Sequence, residues 1–261
     1  MRRSMAQPVH HPILVVDIEE SSSRPADVRV RLQRDAAELI DATLADAGVN
    51  PDDCSIDERG DGALLVLPPT AVKTLLTDAC LHRLPMRLER LAQQHAAIAR
   101  LRLRIALNSG ELIRTAQGSW LGDAVDRTFR LADAQLTKDV LADARDATMA
   151  LVVSETWFDG TVRSGLGAAR EQDFRSVDFT SHGKRFGGWL ALPGACSPEA
   201  AIASSRREHG SDDPSVDSVP SVSDPPRTQD RDSITMTAKV SGGGGAYMAA
   251  GDQTINIGGQ K

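Results

Sequence analysis

The sequence lacks the features that mark secreted, membrane-spanning or disulfide-linked proteins. It has three cysteines in 261 residues, Cys54, Cys80 and Cys196, and they are scattered without the spacing of metal ligands. Cys54 and Cys80 lie in apolar surroundings, which predicts reduced thiols and a cytoplasmic protein. No apolar run is long enough to span a membrane. No apolar segment follows Arg2 and Arg3 either, so we expect no signal peptide.

The sequence also lacks a net positive charge and the motifs of Ser or Cys hydrolases, which excludes several classes of function. The net charge of −6 argues against nucleic acid or an anionic membrane as the main partner. The sequence contains no Gly-x-Ser-x-Gly motif and no Cys/His grouping, so nothing indicates a hydrolase with a Ser or Cys nucleophile. With 41% hydrophobic residues, the chain is long enough for one domain with its own core and has residues to spare.

The composition changes sharply near Pro193 and divides the chain into four parts. We predict a flexible N-terminus over residues 1–11 and a folded domain over 12–193. Residues 194–232 are mostly Ser, Asp, Pro and Arg, and such a segment buries too little area to offset its ordering entropy. We therefore predict a disordered linker there, followed by a Gly-rich, β-prone interaction segment over 233–261.

Strand-like and helix-like segments alternate within the folded part. Because some strands pair as hairpins and others are joined through helices, we predict an α+β domain with helices over one face of the sheet. Helices over 72–81 and 86–98 are split by Pro85. A strand over 101–107 carries a basic edge that we expect to be exposed. The other predicted elements are strands over 13–18, 54–58, 63–67, 149–153, 176–180 and 186–192, a long helix ending near Gly48, and helices around Val125, Val140 and Trp157.

Two aspartates each close a predicted strand and are separated by one helix. Asp17 follows the apolar run 13–16, and Asp61 lies on the turn Gly60-Asp61-Gly62. The glycines permit a tight hairpin. If the two strands are neighbours, the carboxylates meet at one end of the sheet and can hold one or two divalent cations. Taken alone, an Asp-Gly in a hairpin is usually only a turn, and an Asp after a strand is usually a helix cap or a loop residue.

The order of these landmarks resembles the class III nucleotidyl cyclase catalytic domain, in the form of a divergent bacterial member. The resemblance covers residues 13–192. Its landmarks are a strand ending in Asp-Ile, a helix, a Gly-Asp hairpin, an Arg-Ile-Ala-Leu strand, Gly-x-x-x-Asp-x-x-x-Arg, and a closing Gly-Lys-x-x-x-x-Trp-Leu. The resemblance implies a ferredoxin-like α+β fold with an antiparallel-rich sheet. It also implies a head-to-tail homodimer with active sites at the interface.

The resemblance also implies a ligand and a metal site. Asp17 and Asp61 match the two carboxylates of a two-metal site for Mg²⁺ or Mn²⁺, and Ile18 matches the residue whose backbone carbonyl binds the same metal. The substrate would be a nucleoside triphosphate, whose ribose 3′-hydroxyl attacks the α-phosphorus. Two cations about 3.5–4 Å apart stabilise both the attacking and the leaving oxygen.

Four more positions match parts of the family site. Arg130 matches the arginine that stabilises charge in the transition state, since a guanidinium donates several hydrogen bonds. Asp126, four residues earlier on the same helical face, stands where the family has an asparagine that orients the ribose. Ser22 and Lys184 match a phosphate-binding hydroxyl and lysine. Asp126 and Arg130 are equally consistent with a solvated i,i+4 ion pair, and Lys184 and Arg185 with ordinary turn cations.

Several departures weaken the match to an active cyclase. Asp57 and Ser119 replace the lysine and aspartate that select the base. Glu20 replaces the glycine of the phosphate-binding loop, where backbone amides should face an anion. The Asp126 carboxylate accepts but cannot donate a hydrogen bond. Two hypotheses follow: a metal-dependent nucleotidyl cyclase, or a degenerate cyclase-like sensor module that recruits partners.

The final segment has its own pattern. Residues 233–240 alternate with period two, and Ile255-Asn256-Ile257-Gly258 resembles short amyloid-signalling motifs. In such motifs, β-branched residues stack in register and amide side chains form a ladder. The segment is thus a candidate for homotypic β-assembly with a protein partner. It is also consistent with an unstructured tail, or with a strand that pairs with the edge of a partner's sheet.

Overall fold

The computed structural model describes residues 7–94, 100–181, 184–195 and 202–203. The segment 233–261 and nearly all of the predicted linker lie outside these residues. The strands are β1 (Val9–Ile18), β2 (Ser55–Arg59), β3 (Gly62–Val66), β4 (Leu103–Arg114), β5 (Trp120–Leu121), β6 (Met149–Ser154), β7 (Arg175–Ser181) and β8 (Lys184–Ala191). The helices are α1 (Ala26–Asp46), α2 (Lys73–Asp78), α3 (Leu84–Gln94), α4 (Asp123–Asp133), α5 (Gln135–Asp143) and α6 (Glu155–Thr161).

The strands form one mixed sheet, which confirms the α+β prediction. The strand order is β2-β3-β1-β4-β6-β8-β7, and β5 pairs with β4. Every neighbouring pair in this order is antiparallel except β4 and β6, which are parallel. The central strands β1 and β4 place their ends at the site described below.

Helices cover both faces of this sheet rather than the one face that was predicted. On β1, Leu14, Val16 and Ile18 pack into a core with α1, α2, α3 and α6. The alternate residues Ile13 and Val15 pack into a second core with α4 and α5. The physical reason is visible in the sequence, because β1 is a continuous apolar run, and such runs are typical of strands buried on both faces.

Proline does not split the helical segment after β3. A π-helical turn, Ala79–Arg83, joins α2 directly to α3. Pro85 is the second residue of α3 and lies just after this wider turn. A π-turn changes the hydrogen-bonding register, so a residue without an N–H is accommodated where a regular helix would break.

Two features extend the folded part beyond the predicted bounds. β1 begins at Val9 and β4 continues to Arg114, so both strands are longer than predicted. Ile202 is only 4% exposed and belongs to the second core, although it follows the predicted end of the domain at 193.

In the part of the chain that the structure describes, no helix is both long and apolar enough to cross a bilayer.

Candidate active site

The ends of β1 and β3 bring Asp17, Ile18 and Asp61 together. Asp17 is the register partner of Gly62, and the Ile18 amide donates to the Asp61 carbonyl at 3.2 Å. The close approach requires glycine at 62, because a Cβ there would lie 2.6 Å from the Val16 carbonyl oxygen. The two carboxylates interact electrostatically, since Asp61 contributes to the raised pKa of Asp17.

Arg104 is the principal neighbour of Asp17, and the sequence did not identify it as a site residue. It is the register partner of Asp17 on β4, and its Nη2 donates to Asp17 Oδ2. The side chains of Arg104 and Asp17 are 11% and 25% exposed. Burial raises the pKa of Asp17, Arg104 opposes this increase, and the Asp61 carboxylate adds to it. Asp17 is therefore a partly desolvated carboxylate between an anion and a cation.

A second ion pair lies just past the end of β1 and just before the start of β4, where the Glu19 amide donates to the Arg102 carbonyl at 3.0 Å. Arg102 Nη1 is 2.7 Å from Glu19 Oε2, and both side chains are largely buried. Burial raises the pKa of Glu19 and lowers the pKa of Arg102. The basic edge of β4 was predicted to be exposed, and this expectation is wrong. Arg102 and Arg104 face the two acids across the strand pair, as expected for cross-strand neighbours of opposite charge.

The loop after β1 has an unusual backbone. Glu20 has φ 53° and ψ 24°, the left-handed conformation that favours glycine. The 3-10 turn Ser21–Ser23 follows, and the Ser23 hydroxyl donates to the Glu20 carbonyl at 2.8 Å. Ser22, the predicted phosphate ligand, is exposed. Ser21 is buried instead, and its hydroxyl has no hydrogen-bond partner in the described chain.

Asp126 and Arg130 lie on α4 and line a cleft whose described lining residues do not include Asp17 or Asp61. With Arg127 and Arg185 they line this cleft of about 270 Å³. They form no ion pair with each other within the described residues, so the i,i+4 pair is not observed. The neighbouring Lys184 is in β8, but its side chain lies outside the described part of the chain.

The donor set fits a metal that arrives with phosphates. Among the described residues, no group of three or more His, Cys, Asp or Glu side chains could hold a metal ion. Two carboxylates and a backbone carbonyl are too few for an all-protein cage. Mg²⁺, however, is usually bound by one or two carboxylates together with waters and substrate phosphates. Asp17, Asp61 and the Ile18 carbonyl fit that pattern, while Arg104 competes for Asp17.

Comparison with known proteins supports the fold. No protein-family model and no curated protein matches the chain. The adenylate/guanylate cyclase/hydrolase from Silicibacter pomeroyi is 21% identical, with a TM-score of 0.52 over 72% of this chain and 99% of that one. The guanylyl cyclase Cya2 is 14% identical, with a TM-score of 0.50 over 75% and 97% of the two chains. The chain therefore has the fold of an adenylate/guanylate cyclase domain, as the resemblance to the class III family implied.

Proposed function

We propose that this protein binds a complex of Mg²⁺ or Mn²⁺ with a nucleoside triphosphate at the end of β1 and β3. The observation that carries the proposal is the adjacency of Asp17 and Asp61 beside the Ile18 backbone. Lone carboxylates would repel a polyphosphate, so a cation must lie between them and the ligand. With two cations bound, the metals would activate the ribose 3′-hydroxyl and stabilise the leaving oxygen.

Arg104 has a defined role in this proposal. Without a ligand its guanidinium neutralises Asp17. If Asp17 held a cation, the Arg104 guanidinium would be freed from this carboxylate and would be available to a phosphate of the ligand. Arginine suits that contact because its planar fork pairs with two phosphate oxygens at once. The residue thus serves as a counter-ion in the free protein and as a phosphate ligand in the complex.

The remaining half of the site would come from a second copy of the chain. Asp126 and Arg130 line a separate cleft with Arg127 and Arg185, which is rich in guanidinium groups. Such a surface suits the triphosphate and the charge that develops on its α-phosphate. A homodimer that brings the α4 cleft of one copy to the carboxylates of the other would assemble a full site. In that arrangement Ser22 and Lys184 supply further phosphate contacts.

Cyclisation in this proposal is slow, because several positions do not suit turnover. Asp57, at the base-selecting position, is held by Arg59, whose Nε and Nη2 lie 3.0 and 2.9 Å from Asp57 Oδ2. Ser119 forms part of a turn, in which its amide donates to the Thr115 hydroxyl at 3.1 Å. Neither residue supplies the usual lysine–aspartate pair. The base would therefore be held with little discrimination.

A second candidate function is a nucleotide-responsive module without turnover. Glu20 favours this second candidate. Its backbone is in the left-handed conformation, and its bulky, negatively charged side chain lies where a phosphate-binding loop needs accessible backbone amides. In this case the nucleotide would act as a signal. The segment 233–261 would then recruit a protein partner by homotypic β-assembly.

The experiment that tests the main proposal uses the full chain. The purified protein is incubated with each nucleoside triphosphate and Mn²⁺ or Mg²⁺, and the products are measured by mass spectrometry. We expect slow formation of a cyclic nucleotide that is lost in Asp61→Asn. Nucleotide binding without any cyclic product would favour the second candidate. No nucleotide binding with either metal would overturn both.

A further inference from the structure

The far end of the sheet carries a second cavity that the proposed function does not use. It is a cleft of about 530 Å³ between the ends of β2 and β3 and the β4–β5 pair. His11 and Trp120 line it, together with the apolar residues Val66 and Leu67. Its size lies within the range of small-molecule sites, which are about 300–1,000 Å³. His11 is six residues before Asp17 on β1, so about 20 Å of strand separates the cleft from the carboxylate pair.

His11 gives the cleft a fixed hydrogen-bond acceptor. The residue is 9% exposed, and its Nδ1 lies 2.8 Å from the Leu67 carbonyl oxygen. A carbonyl oxygen only accepts, so Nδ1 must carry the hydrogen. In the neutral ring Nε2 is then an acceptor, and it has no hydrogen-bond partner among the described residues. A ligand with an N–H donor would satisfy it.

Trp120 adds an aromatic surface. Its ring packs edge-on against His11, with centroids 4.8 Å apart and planes at 61°. The Arg114 guanidinium carbon lies 5.6 Å from the Trp120 ring centroid. The indole Nε1–H is buried and has no partner in the described chain. Because this atom is shielded from the cleft as well, a ligand there contacts the aromatic ring and not the N–H.

The rim of the cleft selects against phosphate. Asp52 and Asp53 line the cleft and are exposed, and Arg114 is the one Lys or Arg among its described lining residues. Two carboxylates and one guanidinium leave the rim negative. Carboxylates accept hydrogen bonds from sugar hydroxyls, as acidic residues do for ribose in dinucleotide sites. They repel phosphate groups at the same distance.

We propose that this cleft binds an uncharged purine nucleoside, with the base against His11 and Trp120 and the ribose at Asp52 and Asp53. The N–H donors of a purine match the acceptor His11 Nε2, and the planar base packs against the Trp120 ring. The apolar floor of Val66 and Leu67 holds the planar ring. The site does not depend on a metal, and it is separate from the proposed triphosphate site.

The test measures binding of adenosine and guanosine to the full chain by calorimetry, in buffer that contains EDTA. We expect saturable binding of at least one nucleoside with a Kd below about 1 mM. We also expect at least tenfold weaker binding of its 5′-monophosphate. His11→Asn is the matched variant, because its amide still donates to the Leu67 carbonyl but lacks the Nε2 acceptor. It should keep the melting temperature of the wild type and bind at least tenfold more weakly.

Two controls separate this site from the carboxylate pair. Trp120→Leu keeps an apolar side chain without the aromatic ring and should also weaken binding. Asp61→Asn, which removes a proposed metal ligand, should leave nucleoside affinity unchanged. The proposal is overturned if neither nucleoside binds at millimolar concentration, or if His11→Asn binds as tightly as the wild type. Loss of binding in Asp61→Asn would also overturn it, by assigning the nucleoside to the other end of the sheet.

Discussion

At the scale of single residues, Asp17 lies between a second carboxylate and a guanidinium. The sequence allowed the pairing of Asp17 with Asp61 to be predicted, because an aspartate at a strand end and a Gly-Asp-Gly turn are local signals. The contact with Arg104 was not predicted, since it depends on the register of β1 against β4. Asp17 and Glu19 alternate around the end of β1, and Arg102 and Arg104 alternate around the start of β4. This alternation of opposite charges was a usable signal. It becomes visible only once the two strands are paired.

The backbone of Glu20 gives the first prediction. A residue with a side chain in the left-handed region costs of order 1–3 kcal/mol, and glycine does not carry this cost. Glu20→Gly should therefore raise the free energy of unfolding, by about 0.5–1 kcal/mol after the larger unfolded-state entropy of glycine is counted. Urea denaturation measures it. Glu20→Ala keeps the Cβ and should show no gain, so an equal gain in both variants would contradict the explanation from strain.

The raised pKa of Asp17 predicts how the stability of the protein changes with pH. Its folded pKa is raised above 3.8, mainly by burial, so the native state binds a proton more readily than the unfolded state does. The wild type should thus lose unfolding free energy relative to Asp17→Asn as pH rises above about 3.8. The loss should be complete once the pH exceeds the folded pKa of Asp17. Asp46 is the control of opposite sign. Its hydrogen bond to Arg87 lowers its pKa, so its stabilising contribution should be lost as pH falls through the acid range.

The pH series is measured by urea denaturation at fixed ionic strength. The wild type, Asp17→Asn and Asp46→Asn are compared at each pH. The two differences in unfolding free energy from the wild type should change with pH in opposite directions. The same direction for both would mean that burial does not govern Asp17.

At the scale of elements, β1 and β3 position the site because they approach closely. The order of strands and helices was largely predicted from apolar periodicity, which is local. The coverage of both faces and the continuity of α2 with α3 were not predicted. Both depend on tertiary packing, which places α4 and α5 on one face and accommodates Pro85 after a π-turn.

Gly62 tests the link between strand spacing and the site. A Cβ at this position would lie 2.6 Å from the Val16 carbonyl, so Gly62→Ala must separate β3 from β1. We expect a loss of about 1–3 kcal/mol in unfolding free energy, together with weaker Mn²⁺ binding. Gly60→Asn is the control in the same hairpin. It has φ 65° and nothing within 4 Å of its Cβ, and asparagine tolerates this conformation. Equal effects from both changes would show that spacing is not the cause.

At the scale of the whole molecule, the compact unit that contains the sheet ends at Pro214. The predicted domain end at 193 came from a change in composition, and composition does not reveal one apolar residue within a polar stretch. Ile202 is such a residue, and it is buried in the second core. The boundaries of the linker and of the segment 233–261 remain predictions.

Truncation tests the position of the domain end. A chain of residues 1–214 should unfold at the same urea concentration as the full chain. A chain of residues 1–193 loses the burial of Ile202 and should be less stable by about 2 kcal/mol. Ile202→Ala in the 1–214 chain should reproduce most of that loss. Equal stability of the 1–193 and 1–214 chains would show that the domain ends before Ile202.

The most direct test of the central claim is a Mn²⁺ titration of the full chain followed by electron paramagnetic resonance, with and without a nonhydrolysable nucleoside triphosphate. We predict weak Mn²⁺ binding alone and at least tenfold tighter binding with the nucleotide, lost in Asp61→Asn. Arg104→Gln should bind Mn²⁺ alone more tightly and the nucleotide complex more weakly. Mn²⁺ affinity that is indifferent to the nucleotide, or that is unchanged in Asp61→Asn, would contradict the proposed site.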